Sequence, residues 1–161
     1  MDDEDQYPAL QPILRRIPEE WGRNIDIGPG WYPVLVDLDR QLAAIDPDYV
    51  LKQVKEEAGE LDVRFDTVHG ERYQQMRALV RDAAQPAAHL CEECGAAGSL
   101  NQSCEGSVRR LCSACAAAAQ EGYEATSSDL DTRASLHRIA MQAAAQHRLL
   151  TSLPARSRPV P

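Results

Sequence analysis

The apolar positions of this chain follow two rhythms, a helical period that returns in four stretches and one short stretch of strict alternation. Leu10, Ile13, Leu14, Ile17 and Trp21 recur at helical spacing, but Pro18 interrupts them, which predicts a short helix and then a separate turn. The loop RNIDIGPG follows. In WYPVLVDLDRQLAAID the stripe is Trp31, Val34, Leu35, Leu38, Leu42 and Ile45, with Pro33 near the first turn and Asp46-Pro47 ending the helix. At Leu61, Val63 and Phe65 the period drops to two, alternating with Asp62, Arg64 and Asp66. The preceding YVLKQVK is rich in β-formers, and EEAGE carries Gly59 for a turn, so a β-hairpin is expected against the helix. HGERYQQMRALVRDAA is helical again through Tyr73, Met76, Val80 and Ala83, with Pro86 as its stop. SSDLDTRASLHRIAMQAAAQHRLL reads as a long helix, opened by Ser128 with Asp131 three residues on.

These elements predict an α+β protein. Its expected parts are an acidic disordered tail (1–8), a helix/β-hairpin/helix core (9–86), a zinc-binding module (87–125), a long C-terminal helix (126–152) and a disordered tail (153–161). Aromatic residues make up only 5%, with a single Phe, so the core must be aliphatic and thin. Because residues 31–66 have an apolar face of their own, the core and the metal module are expected to behave as two lobes.

The stretch CEECGAAGSLNQSCEGSVRRLCSAC holds all five cysteines of the 161-residue chain. Cys91 and Cys94 form one CxxC, Cys112 and Cys115 another, at the spacing of a zinc site. Each pair wraps two thiolates around one face of a tetrahedral ion, and two pairs close its shell. Gly95 allows a sharp turn after the first pair, and the second pair leads into the helix-forming run AAAAQEGY. Knuckle, short hairpin and ligand-bearing helix make a treble-clef-like or ribbon-like module around one structural Zn²⁺. Four thiolates leave no position for an activated water. Arg109 and Arg110 are candidate compensating cations for a site of net charge −2, or alternatively phosphate contacts. Cys104 is left over as an unligated thiol at the tip of the insert; Cys104 and His89 are also candidate substitute ligands.

Charge separates the two halves. Residues 1–66 carry 16 acidic and 7 basic groups, net −9, and residues 67–161 carry 9 acidic and 10 basic, net +1. Nucleic-acid affinity comes largely from Lys and Arg on phosphates, so only the second half, through Arg109, Arg110, Arg133 and Arg138, is suited to it. The acidic half offers Asp37, Asp39 and Glu60 as a candidate surface for a protein partner, although such a surface also serves solubility alone. The opening MDDEDQYP is acidic where a secretory signal is basic, and no apolar run approaches the ~20 residues of a membrane span, so a cytoplasmic protein is expected. His69, His137 and His147 are too scattered for a catalytic constellation, and no phosphate loop or nucleophile elbow is present.

The order GWYPVLVDL, LKQVKEEAGELDVRF, then CEECGAAG with LCSAC, is similar to a family of small uncharacterised bacterial and phage proteins. Those carry a GW-led helix, a segment like QVKEKFGGLRFY and a C-terminal CxxCG metal knuckle. The likeness covers about residues 30–115 and departs at Ala58 and Glu60. It implies architecture and a bacterial or phage source, with the host cytoplasm as location if phage-encoded, and it implies no activity. The expected function is a non-enzymatic, zinc-stabilised protein-interaction module. The alternatives are a zinc-finger-type nucleic-acid-binding regulator and an enzyme without a recognisable motif.

Overall fold

In the computed structural model, which describes residues 8–126, prolines stand in the first turn of two helices, at Pro12 and Pro33, and in the last turn of a third, at Pro86. Helix α1 is a single turn, Gln11–Leu14, entered from a 3-10 turn over Pro8–Leu10, and a separate 3-10 turn, Glu19–Trp21, follows Pro18. Leu10, Ile13 and Ile17 are buried, but Trp21 is 48% exposed, because the chain beyond Pro18 no longer continues the helical phase. Helix α2, Tyr32–Ile45, buries Leu35, Leu38 and Leu42, and Tyr32 beside them. Helix α3, Tyr73–Ala87, runs through Pro86 and does not stop there, since the proline occupies its last turn. Tyr73 packs on Phe65 with ring centroids 5.3 Å apart.

Strands β1, Val50–Glu57, and β2, Glu60–Asp66, form the expected antiparallel hairpin. Leu61, Val63 and Phe65 join Leu51 and Val54 in the core. Leu51 and Val54 are three residues apart, a spacing no regular strand places on one face. The register slips between Leu51 and Gln53, so Lys52 is the extra residue of a bulge that restores the inward phase. On β1's other side, Asp26 forms a parallel bridge with Lys55.

The hairpin turn is tighter than EEAGE suggests. Glu56 and Glu57 belong to β1, leaving Ala58 and Gly59 with φ of 53° and 80°, both left-handed. Two-residue turns of this sense favour Asn-Gly, and alanine there carries a Cβ penalty. Ala58→Asn or Ala58→Gly is therefore expected to raise stability by about 1 kcal/mol. The check is the denaturant midpoint at unchanged slope, and a lower midpoint would mean that the Ala58 methyl makes compensating contacts.

Asp46 closes α2 and is 1% exposed. Its carboxylate accepts from the Thr67 hydroxyl just past β2 and from the Asp48 N–H at 3.1 Å. The Thr67 hydrogen bond, chiefly, holds this carboxyl below its ordinary value of 3.8. A folded-state value below the unfolded one contributes stability that is full above the unfolded value and is lost as pH falls through the folded one. Asp46→Asn should therefore be less stable than wild type near neutrality, and the gap should narrow below about pH 4. Paired urea titrations measure it; a gap independent of pH would show that charge is not what Asp46 contributes.

Beyond α3 a knuckle at residues 91–98 leads to β3, Ser99–Gln102, paired antiparallel with β4, Val108–Leu111. Helix α4, Ser113–Ala118, follows, and β5, Glu124–Ala125, pairs with β3's other edge. A small apolar cluster of Cys91, Leu111 and Ala116 sits beneath the knuckle. The described residues through Ala125 belong to one compact unit, and the expected boundary between residues 86 and 87 falls in the last turn of α3. Residues 1–7 of the acidic tail, the helix expected over 126–152 past Thr126, and the tail over 153–161 lie outside the described residues. Among the described residues no helix is long and apolar enough to cross a membrane.

Candidate metal centre

Thiols two residues apart converge only if the backbone between and after them folds back. Gly95, at φ 74°, makes that turn. Its N–H donates to the Cys91 carbonyl at 2.8 Å, and the Cys91 N–H donates to the Ala96 carbonyl at 2.7 Å. At the second pair, Cys112 is the extended residue before α4, and its Sγ accepts from the Cys115 N–H at 3.4 Å. Knuckle and helix end thus aim their sulfurs at one point.

The ligand atoms of Cys91, Cys94, Cys112 and Cys115 all lie within 4.8 Å of one another, with Cys94 and Cys112 Sγ 3.7 Å apart. A tetrahedral ion at a metal–sulfur distance of about 2.3 Å requires sulfur–sulfur edges of about 3.8 Å. The four cysteines could therefore hold a metal ion. All five cysteines are free thiols. The Cys115 N–H, first of all, brings the Cys112 thiol down to about 7, while the Cys112 sulfur and then burial push the Cys115 thiol up. One thiol ionises readily and its neighbour resists, as crowded thiolates must until a cation joins them.

The other candidate residues fall elsewhere. Cys104 is exposed in the turn between β3 and β4, its Sγ 3.5 Å from the Glu121 carbonyl, and it is not part of the four-sulfur group. His89 is exposed and also outside it. Arg109 binds Glu92 and Glu93, with Nε 2.7 Å from Glu92 Oε1. Arg110 is buried and donates from Nε to the Gly59 carbonyl at 3.1 Å. These two arginines are consecutive in a strand and point to opposite sides, so they do not form a common phosphate patch. Arg133 and Arg138 lie outside the described residues.

The proposed acidic surface is also divided. Asp39 accepts from Arg16 Nε at 2.6 Å and from the Tyr49 hydroxyl at 2.7 Å, tying α2 to the segments on either side. Burial, foremost, and this carboxylate push the Tyr49 phenol up. Asp37 is exposed and bonded along its own helix to Arg40 and Gln41, which hold its carboxyl below the ordinary range. Glu60 is exposed beside the hairpin turn.

Sequence periodicity does not reveal what fixes the knuckle to the core. The Gly30 N–H donates to the Glu92 carbonyl at 2.6 Å, and Trp31, fully buried, donates from Nε1 to the Leu90 carbonyl at 3.0 Å. A Cβ on Gly28 would stand 2.4 Å from the Glu92 carbonyl oxygen, and one on Gly30 2.2 Å from that of Cys91. The run GPGW is thus a docking face for the knuckle, and its paired glycines ahead of a tryptophan are the available signal. Glu92, 2% exposed between two ligands, is a second residue that charge counting treats as solvated. No protein-family model, curated protein or solved structure matches the chain.

Proposed function

We propose that the chain is a non-enzymatic protein-interaction module of bacterial or phage origin, held by one structural zinc ion in a treble-clef-like arrangement. The observation that carries this reading is the closed set of four converging sulfurs, whose knuckle is bonded to the α/β core. Thiolate ligands in tetrahedral array suit zinc, and four of them leave no open position for substrate or water. Bound zinc would therefore shape a surface. The first part of the chain is acidic, with net −9 over residues 1–66, and is suited to a basic protein more than to a nucleic acid. Arg109 is paired with Glu92 and Glu93 and Arg110 is buried against the Gly59 carbonyl, which makes both less suited to phosphate contacts and counts against the regulator reading.

The test is a binding comparison on metal-loaded protein. Capture of a basic protein should weaken as salt rises and on charge reversal of the exposed Asp37 and Glu60, and no duplex or RNA should shift at low salt. A tight nucleic-acid shift would overturn this reading in favour of the regulator.

A further inference from the structure

Beside the knuckle is a cleft of about 350 Å³ whose walls come from the loop before α2, the end of β1, the knuckle and β4. Its charged lining is four carboxylates, Asp26, Glu56, Glu92 and Glu93, against the single guanidinium of Arg109, a net −3. Glu92 is the unusual member. It is 2% exposed, its Oε1 takes both Nε and Nη2 of Arg109, and its buried Oε2 accepts from no donor among the described residues. A buried carboxylate oxygen without a donor is unfavourable, and in a cleft wall it marks where a donor can arrive. Arg109 does not quench the cleft, because its one positive charge stands against four carboxylates; its Nη2 also reaches Glu93 Oε1 at 2.5 Å and clamps the two glutamates side by side. Asp26 is exposed on the cleft wall, while Glu56 Oε1 takes the Gly59 N–H.

The spacing of these acceptors selects among cations. Among the described residues, the cysteine cluster is the only set of three or more His, Cys, Asp or Glu side chains that converges as a metal site, so the cleft carboxylates do not gather on a bare metal ion. Dispersed acceptors suit a cation with several divergent N–H donors. We propose that this cleft binds the guanidinium or ammonium head of a basic side chain, with Glu92 Oε2 as the buried acceptor and Asp26 as an outer one. The inference rests on the interaction-module reading for its source, an Arg or Lys of the protein partner.

The experiment is an amide-shift NMR titration of the metal-loaded full chain with a blocked glycyl-arginyl-glycine peptide, with free arginine and with Mg²⁺. The peptide should saturate with a Kd in the ~mM range and move the amides of Asp26, Glu56, Glu92 and Glu93. Asp26→Asn should weaken it at least five-fold, and Glu105→Gln, at an exposed position in the turn between β3 and β4, should leave it unchanged. Because Glu92→Gln disturbs the Arg109 pair, Glu93→Gln, at an exposed position, serves as the second variant and should also weaken binding. Equal loss in Glu105→Gln and Asp26→Asn, absence of saturation, or Mg²⁺ moving the same amides at lower concentration would overturn the cleft. Free arginine binding ten-fold tighter than the peptide would overturn the assignment to a partner's side chain. Unimpaired capture of a partner by Asp26→Asn would sink the cleft and leave the module standing; arginine binding without any partner would do the reverse.

Discussion

Chelating the proposed zinc ion is expected to unfold the whole unit through Ala125, and not the cysteine segment alone. Structural zinc in small peptides contributes ~10–16 kcal/mol, comparable with the entire stability of a typical domain. What extends the loss beyond residues 91–115 is the set of contacts to the core. Without the knuckle, Trp31 Nε1 loses its carbonyl acceptor at Leu90, the Gly30 N–H loses Glu92, and Gly59 loses the Arg110 side chain that holds its carbonyl. Each buried group so orphaned costs about 1–3 kcal/mol. Serine at Cys91, Cys94, Cys112 or Cys115 should reduce bound metal sharply and lower the midpoint of the entire transition. Cys104→Ser should keep one equivalent of zinc. Hydrogen exchange on chelated protein is the decisive measurement: protection in α2 and the hairpin that survives while the knuckle melts would restore two independent lobes. Iron in place of zinc, or metal lost from Cys104→Ser, would overturn the ion or the ligand set.

What the sequence shows of this site follows from how local the determinant is. Each CxxC pair is local and both fall within one 25-residue stretch, so the four-cysteine group is readable from spacing alone. The stripe of α2 and the alternation of β2 are readable for the same reason. Phase errors begin where a feature depends on a distant partner. The bulge at Lys52 answers to the core it faces across the hairpin, and nothing in LKQV announces it. The joining of core and knuckle depends on residues 28–31 meeting residues 90–95, about sixty positions away, so the loop reads as punctuation until both are placed.

Two other misplacements come from treating neighbours in sequence as neighbours on a surface. Asp37 and Asp39 are two apart in a helix and cannot share a face. Asp39 turns toward Arg16 and Tyr49, while Asp37 turns to solvent. Arg109 and Arg110 are one apart in a strand, and one meets the knuckle glutamates while the other meets the hairpin turn. The periodicities that locate the elements would have separated both pairs, had they been applied to charges as well as to apolar residues.

Adding one methyl at Gly30 should be among the most damaging small changes in the described chain. Its Cβ would lie 2.2 Å from the Cys91 carbonyl oxygen, 2.4 Å from the Gly95 nitrogen and 2.8 Å from the Glu92 carbonyl oxygen, all of them backbone atoms. No side chain can swing aside, so the knuckle itself must move, lengthening the Gly30 N–H bond to Glu92. Overpacking of this kind costs about 1–3 kcal/mol and a weakened buried hydrogen bond about 1 more, so a loss of about 3 kcal/mol or greater is expected for Gly30→Ala. Two controls separate its causes. Gly106 has φ +92° and open space around it, so alanine there should cost about 1 kcal/mol from backbone strain alone. Gly70 has neither constraint, and Gly70→Ala should stay within about 0.5 kcal/mol of wild type. Metal affinity adds an independent readout, because a displaced Cys91 should weaken binding about ten-fold or more in Gly30→Ala, equivalent to about 1.4 kcal/mol, and leave Gly106→Ala unchanged. If Gly30→Ala matches wild type in stability and in metal affinity, the knuckle is not docked as closely as its carbonyls indicate. The cooperative unfolding expected on chelation would then fail with it.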